Sequence, residues 1–187
     1  MKILCAEYNE AGEAGIIPLG DDVLLRNNGN FYIPEFTREV SCVPQLVVRL
    51  CKLGKSVSEH FAGRYYEEIG VGIRFYADTL AEELQKKALP VGIASSYDGS
   101  AAISVLVPKE GRMQWEMKVN GKTVGCAEKQ TWPVPIERLI SLASDFHTLK
   151  IGDFLFCGSR CRYTGLQTDD RIQMFFNDKL LLNFKIK

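Results

Sequence analysis

The chain has 187 residues, 46% of them hydrophobic and 25% charged, a balance that suits one globular domain with a substantial core. Its 23 Lys and Arg offset 23 Asp and Glu, so no global field draws it to nucleic acid or to an anionic membrane surface. The cysteines at 5, 42, 51, 126, 157 and 161 form no CxxC, and four lie within apolar runs, the setting of buried thiols rather than of a zinc site. The opening "MKILCAEYNEAG" has only a short apolar stretch, too little for a signal peptide, and no run approaches the roughly 20 apolar residues of a membrane span. The expected location is therefore the cytoplasm.

Strand patterns dominate. Taken in chain order, "KILCAE", "QLVVRLCKL", "IGVGIRFYA", "AAISVLVP", "MQWEMKV", "KTVGCAE", "DFLFCGS", "RIQMFFND" and "KLLLNFKIK" are short and rich in β-branched or aromatic residues, with turn residues around them. Asn120-Gly121 favours a two-residue hairpin, and Asn177-Asp178 marks a second one. Two stretches have helical spacing. "DTLAEELQKKAL" (78–89) opens on Asp78 as a cap and stops at Pro90, with Leu80, Leu84 and Leu89 near one face. "VPIERLISLASDF" (134–146) starts on Pro135 and carries Ile136, Leu139, Ile140 and Leu142 or Ala143 on one stripe. Residues 9–40, with "LGDD", "RNNGN" and "IPEF", are the least regular and read as loops. The fold expected is mainly β (α+β): one structural unit with two short helices, a loop-rich cap with an opening strand over 1–44 and a β-rich domain over 45–187.

The second half carries an ordered series of signals: "YEEIGVGI", a helix, "PVGIASSYDGS", "WEMKVNGK", "LISLASDFHTLKIGDFLFCGS" and "TDDRIQMFFNDKLLLNFKIK". That order resembles the fumarylacetoacetate hydrolase family, which includes 2-hydroxyhepta-2,4-diene-1,7-dioate isomerases, acylpyruvate hydrolases and oxaloacetate decarboxylases. The match is best over 45–187 and weaker at "KILCAEYN". It implies a mixed β-sandwich roll, a homodimer, and hydrolysis, isomerisation or decarboxylation of small 2-oxo (enol) acids assisted by Mg²⁺ or Mn²⁺. "RIQMFFNDKLLLNF" is the apolar strand pair that such a dimer could use.

In the family the metal is held by a Glu-x-Glu on one strand and an Asp from a following loop. Residues i and i+2 of a strand face one side, so two carboxylates so spaced can grip one hard cation. Placed on this chain, the resemblance puts metal ligands at Glu68 and Asp98, with Tyr66 in the place of the third ligand and Glu67 on the opposite face. Read without it, Glu68 is a solvated strand-end carboxylate and Asp98 a turn residue. Family positions for an Arg and an Asp fall on Ala102 and Ile103, and neither the substrate lysine nor the family's His–Glu acid–base pair has a counterpart, Glu10 and Glu13 standing where the histidine would be expected. His60 is a candidate general base beside the carboxylate strand, or a surface histidine. Tyr66 and Trp132 are candidate pocket residues. Two functions follow. One is a divergent metal-dependent enzyme of 2-oxo acids; the other is a catalytically inactive relative that binds or assembles.

Overall fold

Alternating apolar residues and left-handed turns assemble two packed sheets in the computed structural model, which describes residues 1–25, 28–128 and 132–187. Arg26 and Asn27, at the start of the turn-like "RNNGN", lie outside the described residues. In chain order the elements are β1 (Ile3–Tyr8), β2 (Ala14–Leu19), β3 (Leu24–Leu25), β4 (Val40–Leu50), α1 (Glu59–Ala62), β5 (Tyr66–Ala77), α2 (Asp78–Lys86), β6 (Ala101–Ile103) and β7 (Val107–Pro108). They continue with β8 (Trp115–Val119), β9 (Lys122–Ala127), α3 (Ile136–Phe146), β10 (Phe154–Phe156), β11 (Arg171–Phe176) and β12 (Lys179–Lys185). Two short 3₁₀ turns lie at Asp21–Val23 and Gly92–Ser95.

The larger sheet runs β2-β1-β10-β4-β5-β6-β3, with β7 also pairing β5, and the smaller runs β12-β11-β8-β9. β1 pairs β10 in parallel, as β3 does β6, and the other pairs are antiparallel. This is the mixed α+β sandwich that the strand count implied. Residues 1–44 supply β1, β2, β3 and the first part of β4, so that stretch is built into the sheet.

The two long strands, β4 and β5, form the spine. One face, with Cys42, Leu46 and Val48 of β4 and Ile69, Val71, Ile73 and Phe75 of β5, enters the main core with Met117, Met174 and Phe184 of the smaller sheet. The opposite face carries Ser41, Val43, Gln45 and Val47 against Tyr76, Arg74, Gly72 and Gly70 in register. The glycines of "EIGVGI" are there because neighbours come close. A Cβ on Gly72 would stand 2.6 Å from Val47 Cγ2 and 2.9 Å from the Ala102 carbonyl.

Both predicted hairpins form, with Asn120 and Gly121 at φ +51° and +80° and Asn177 and Asp178 at +45° and +67°, all in the left-handed region that such turns require. α3 buries Ile136, Leu139, Ile140 and Ala143, as its spacing predicts. α2 ends at Lys86, short of 89, and buries no residue. Asp78 does not cap it: its carboxylate accepts instead from the Ser41 hydroxyl and the Arg162 guanidinium, both 2.9 Å away. The apolar residues of "RIQMFFNDKLLLNF" are largely consumed inside the chain, with Ile172, Met174, Phe176, Leu182 and Phe184 all buried. Among the described residues, no helix is long and apolar enough to cross a membrane.

Candidate functional site

β5 decides the fate of the expected metal ligands. Its pairing with β4 slips between Arg49, which faces Glu68, and Leu50, which faces Tyr66, so Glu67 is skipped. A bulge of this kind reverses the alternation on one side of it. Tyr66 therefore turns into the main core, 4% exposed, while Glu68 turns outward and pairs with Arg49. Two residues that an unbroken strand would place together thus face different surroundings.

Tyr66 is fully engaged where it lies. Its hydroxyl donates to Glu137 Oε1 of α3 at 2.8 Å, and the Lys109 ammonium sits 4.2 Å above its ring while donating to the Gly63 carbonyl at 2.6 Å. Burial, reinforced by the hydrogen bond to Glu137, pushes the Tyr66 phenol well above its usual range, so it offers no anionic oxygen to a cation.

Asp98 sits near the other end of β5. Two residues on, the Ser100 carbonyl accepts from the Phe75 N–H, seven residues along the strand from Glu68. At ~3.3 Å per residue the two carboxylates are separated by roughly 20 Å. The structure does not bring Glu68 and Asp98 together, and Asp98 is exposed. His60 lies on α1, exposed, with its ring 4.9 Å from that of Phe61. It is beside the Tyr66 end of β5. Among the described residues, no three His, Cys, Asp or Glu side chains converge as a divalent metal would require. The residues present thus do not fit the metal that the resemblance implies.

The chemistry-bearing cleft is elsewhere, at the Tyr76 end of the same strand. It has a volume of about 330 Å³ and is lined by β1 and its turn (Ala6 to Glu10), by Val43 and Tyr76, and by Ser159, Arg160 and Arg162 after β10. Gly158, at φ +70°, lets that last segment pass β1, because a Cβ there would stand 2.5 Å from the Ala6 carbonyl. Gly12, at φ +87°, likewise leaves room for the Arg160 guanidinium to lie over the β1–β2 turn.

A polar network floors the cleft. Tyr76 donates to Glu7 Oε1 at 3.3 Å, and the Arg162 guanidinium lies 4.5 Å over the Tyr76 ring. Arg162 is held by the Ser41 hydroxyl at 2.8 Å and by Asp78 at 2.9 Å. Behind Glu7 and Tyr76 stands Arg74, 1% exposed, with Nη1 at 3.6 Å from Glu7 Oε1 and Nη2 donating to the Ser95 carbonyl at 2.7 Å. The Arg160 guanidinium is exposed and makes no ion pair among the described residues. Two guanidinium groups, Arg160 and Arg162, line the cleft with the carboxylates of Glu7 and Glu10, and Arg74 stands behind Glu7; with Arg162 held by Asp78, Arg160 is the guanidinium placed to take a small anion. Trp132 lines an adjacent hollow of about 180 Å³ that it shares with Arg160, so it borders the cleft without entering it.

Arg74, Arg160, Arg162 and Glu7 were not singled out from the sequence. Arg74 did leave a trace: it is the one charged residue in the otherwise apolar run "IGVGIRFYA".

No family model matches the chain. It is 27% identical to the mitochondrial oxaloacetate tautomerase FAHD1 of Mus musculus, over 100% of this chain and 91% of that protein. It is 28% identical to the Bos taurus protein of the same name, over 83% and 72%. Its fold superimposes on a putative fumarylacetoacetate hydrolase family protein from Yersinia pestis with a TM-score of 0.88 at 25% identity, covering 100% of this chain and 92% of the other. A fumarylpyruvate hydrolase from Pseudomonas aeruginosa, solved with Mn²⁺ and pyruvate, shares the fold at a TM-score of 0.86 and 17% identity, over 100% and 89%. In sequence the chain is thus similar to proteins named oxaloacetate tautomerase, and in fold to solved proteins of the fumarylacetoacetate hydrolase family.

Proposed function

We propose that the chain takes a small 2-oxo acid in the arginine-lined cleft, and that keto–enol tautomerisation is the reaction its side chains can support. The observation that carries this is the placement of Glu7 with Arg160 and Arg162 in a cleft of small-molecule size, with Arg74 directly behind it. Whole-length similarity to proteins named oxaloacetate tautomerase supports the substrate class.

Tautomerisation needs one group to move a proton and fixed positive charge where the enolate forms. Arg160 is free to take the substrate carboxylate. Glu7 can accept the proton from C3 and return it to the C2 oxygen, which converts ketone to enol with no other product. The Tyr76 hydroxyl, donating to Glu7, orients that carboxylate. The nearby guanidinium charge stabilises the negative oxygen while it exists.

The test is the decay of the enol form of oxaloacetate followed by ultraviolet absorbance. Wild type is expected to accelerate it over buffer, and Glu7→Gln to lose about 10²–10⁴-fold of that gain. A wild-type rate equal to buffer, or an unaffected Glu7→Gln, overturns the catalytic reading. Binding without turnover is the second reading, favoured by the commitment of Arg162 to Asp78 and Ser41. In that case oxaloacetate binds, Arg160→Ala abolishes binding, and the enol decays at the buffer rate. The same reading keeps a cytoplasmic location and a homodimer, the latter through a surface other than the buried faces of β11 and β12; fractionation and light scattering test these.

A further inference from the structure

We propose that Arg74 is a built-in cation that serves the cleft in place of a divalent metal, so that the 2-oxo acid is held without one. The inference rests on the reading that the cleft takes such acids.

Arg74 is an unusual residue to bury. It lies on a central strand of the larger sheet, paired with Val43, and its side chain points to the cleft face rather than to the main core. Burying a guanidinium is costly unless its charge and its donors are met. Here they are met only in part. One nitrogen donates to the Ser95 carbonyl and the Cys5 thiol lies beside the guanidinium, but Nε and Nη1 have no oxygen partner, and Glu7 at 3.6 Å is too far from Nη1 for one. Unfilled donors on a fixed cation, directly behind two residues that line a cleft, are a place for an anion's oxygens. Glu7 is itself more than one-third exposed, so its carboxylate can swing aside and admit such an oxygen to the guanidinium.

The surroundings disfavour a metal at the same place. The residues next to Arg74 on the same face of β4 are Val43 and Gln45, both neutral, and the Gln45 side-chain Oε1 accepts from the Gly158 N–H at 2.5 Å. Among the described residues, Glu7 is the carboxylate paired with the guanidinium, which already neutralises it, and Glu10 is the other carboxylate lining the cleft. A divalent ion placed there would meet a buried positive charge and no set of hard anionic oxygens. The related hydrolase that holds Mn²⁺ with pyruvate and this chain thus share a fold but differ in what supplies the positive charge.

The experiment uses calorimetry on protein treated with EDTA, with oxalate as a stable mimic of the planar 2-oxo carboxylate. Wild type is expected to bind oxalate with the same affinity, within about twofold, whether or not Mn²⁺ is added. Arg74→Met is expected to weaken it about tenfold or more, through loss of charge-assisted hydrogen bonds. Arg74→Lys, which keeps the charge and is the fallback if the methionine variant does not fold, is expected to weaken it by a smaller factor. A tenfold gain on adding Mn²⁺, or full oxalate affinity in a folded Arg74→Met protein, overturns the proposal. A second arm needs no oxalate: Mn²⁺ binding is read by electron paramagnetic resonance. Uptake by wild type overturns the built-in cation. No uptake by wild type, with uptake by the double variant Gln45→Glu and Arg74→Asp, supports it. If oxalate binds to no form of the protein, the 2-oxo acid reading fails by itself, and the Mn²⁺ arm still judges Arg74.

Discussion

Placing a carboxylate at position 66 separates the sequence alignment from the structure most sharply. On an unbroken strand, Tyr66→Glu would complete a metal site with Glu68. In the bulged strand it instead puts an acid into the main core, with Glu137 Oε1 only 2.8 Å from the atom being replaced. A buried tyrosine side chain hides about 150–200 Å². At ~25 cal/mol per Å² that is about 4–5 kcal/mol, of which a glutamate's methylenes keep roughly half. The lost hydrogen bond adds about 1 kcal/mol. Repulsion from Glu137 or protonation of the new acid adds about 1–2 kcal/mol, limited by the Lys109 ammonium that already lies over the site. The sum is about 4–5 kcal/mol, and at ~2–4 °C per kcal/mol for a chain of this size the melting temperature falls by roughly 8–20 °C. The sign with pH is also fixed. Burial and Glu137 raise the new carboxyl in the folded state, so the deficit is smallest below about pH 4.3 and grows as pH rises towards the raised folded value. Thermal melts by circular dichroism at pH 5 and pH 8, with Mn²⁺ titration at pH 7, test all of this. An unchanged melting temperature, or a gain of Mn²⁺ affinity, would refute the bulge argument.

Two further outcomes follow from the same spine. The Asp153 carboxyl is buried, which alone would raise it, but hydrogen bonds from the Lys2 ammonium and N–H and from the Lys150 N–H outweigh burial and hold it below the usual carboxylate range. Asp153→Asn is expected to cost about 2–4 kcal/mol near pH 7, a wild-type advantage that fades as pH falls from about 3.9 through the lower folded value; parallel pH–stability curves for the two proteins would contradict this. Gly72→Ala sets a Cβ against Val47, Phe156 and the Ala102 carbonyl, and is expected to cost about 1–3 kcal/mol, seen as a lower urea midpoint at unchanged slope. A wild-type midpoint would mean that β4, β5 and β6 are less tightly packed than the structure shows.

What the sequence disclosed and what it hid divide along the range of the interactions involved. The two hairpin turns and α3 were legible because each rests on residues within a few positions of one another: Asn-Gly and Asn-Asp for left-handed turns, a stripe of Ile and Leu after a proline for the helix. β2 escaped notice because "AGIIPL" contains a glycine and a proline, yet as the edge strand of the larger sheet it tolerates Pro18. The site escaped for a different reason. Whether Tyr66 shares a face with Glu68 depends on a bulge, and the bulge is set by how β4 pairs with β5, which no local pattern in "YYEEIG" records. The same pairing brings Arg74 behind Glu7, 67 positions away in the chain. Even so, one inference was available from residues alone. The run from Ile69 to Ala77 is too apolar to be exposed on either face, so the single arginine within it had to be buried, and a buried guanidinium must find either a partner or a function. Here the partner, Glu7, meets only part of its demand, and the donors left over lie behind Glu7 and Tyr76, two residues that line the cleft.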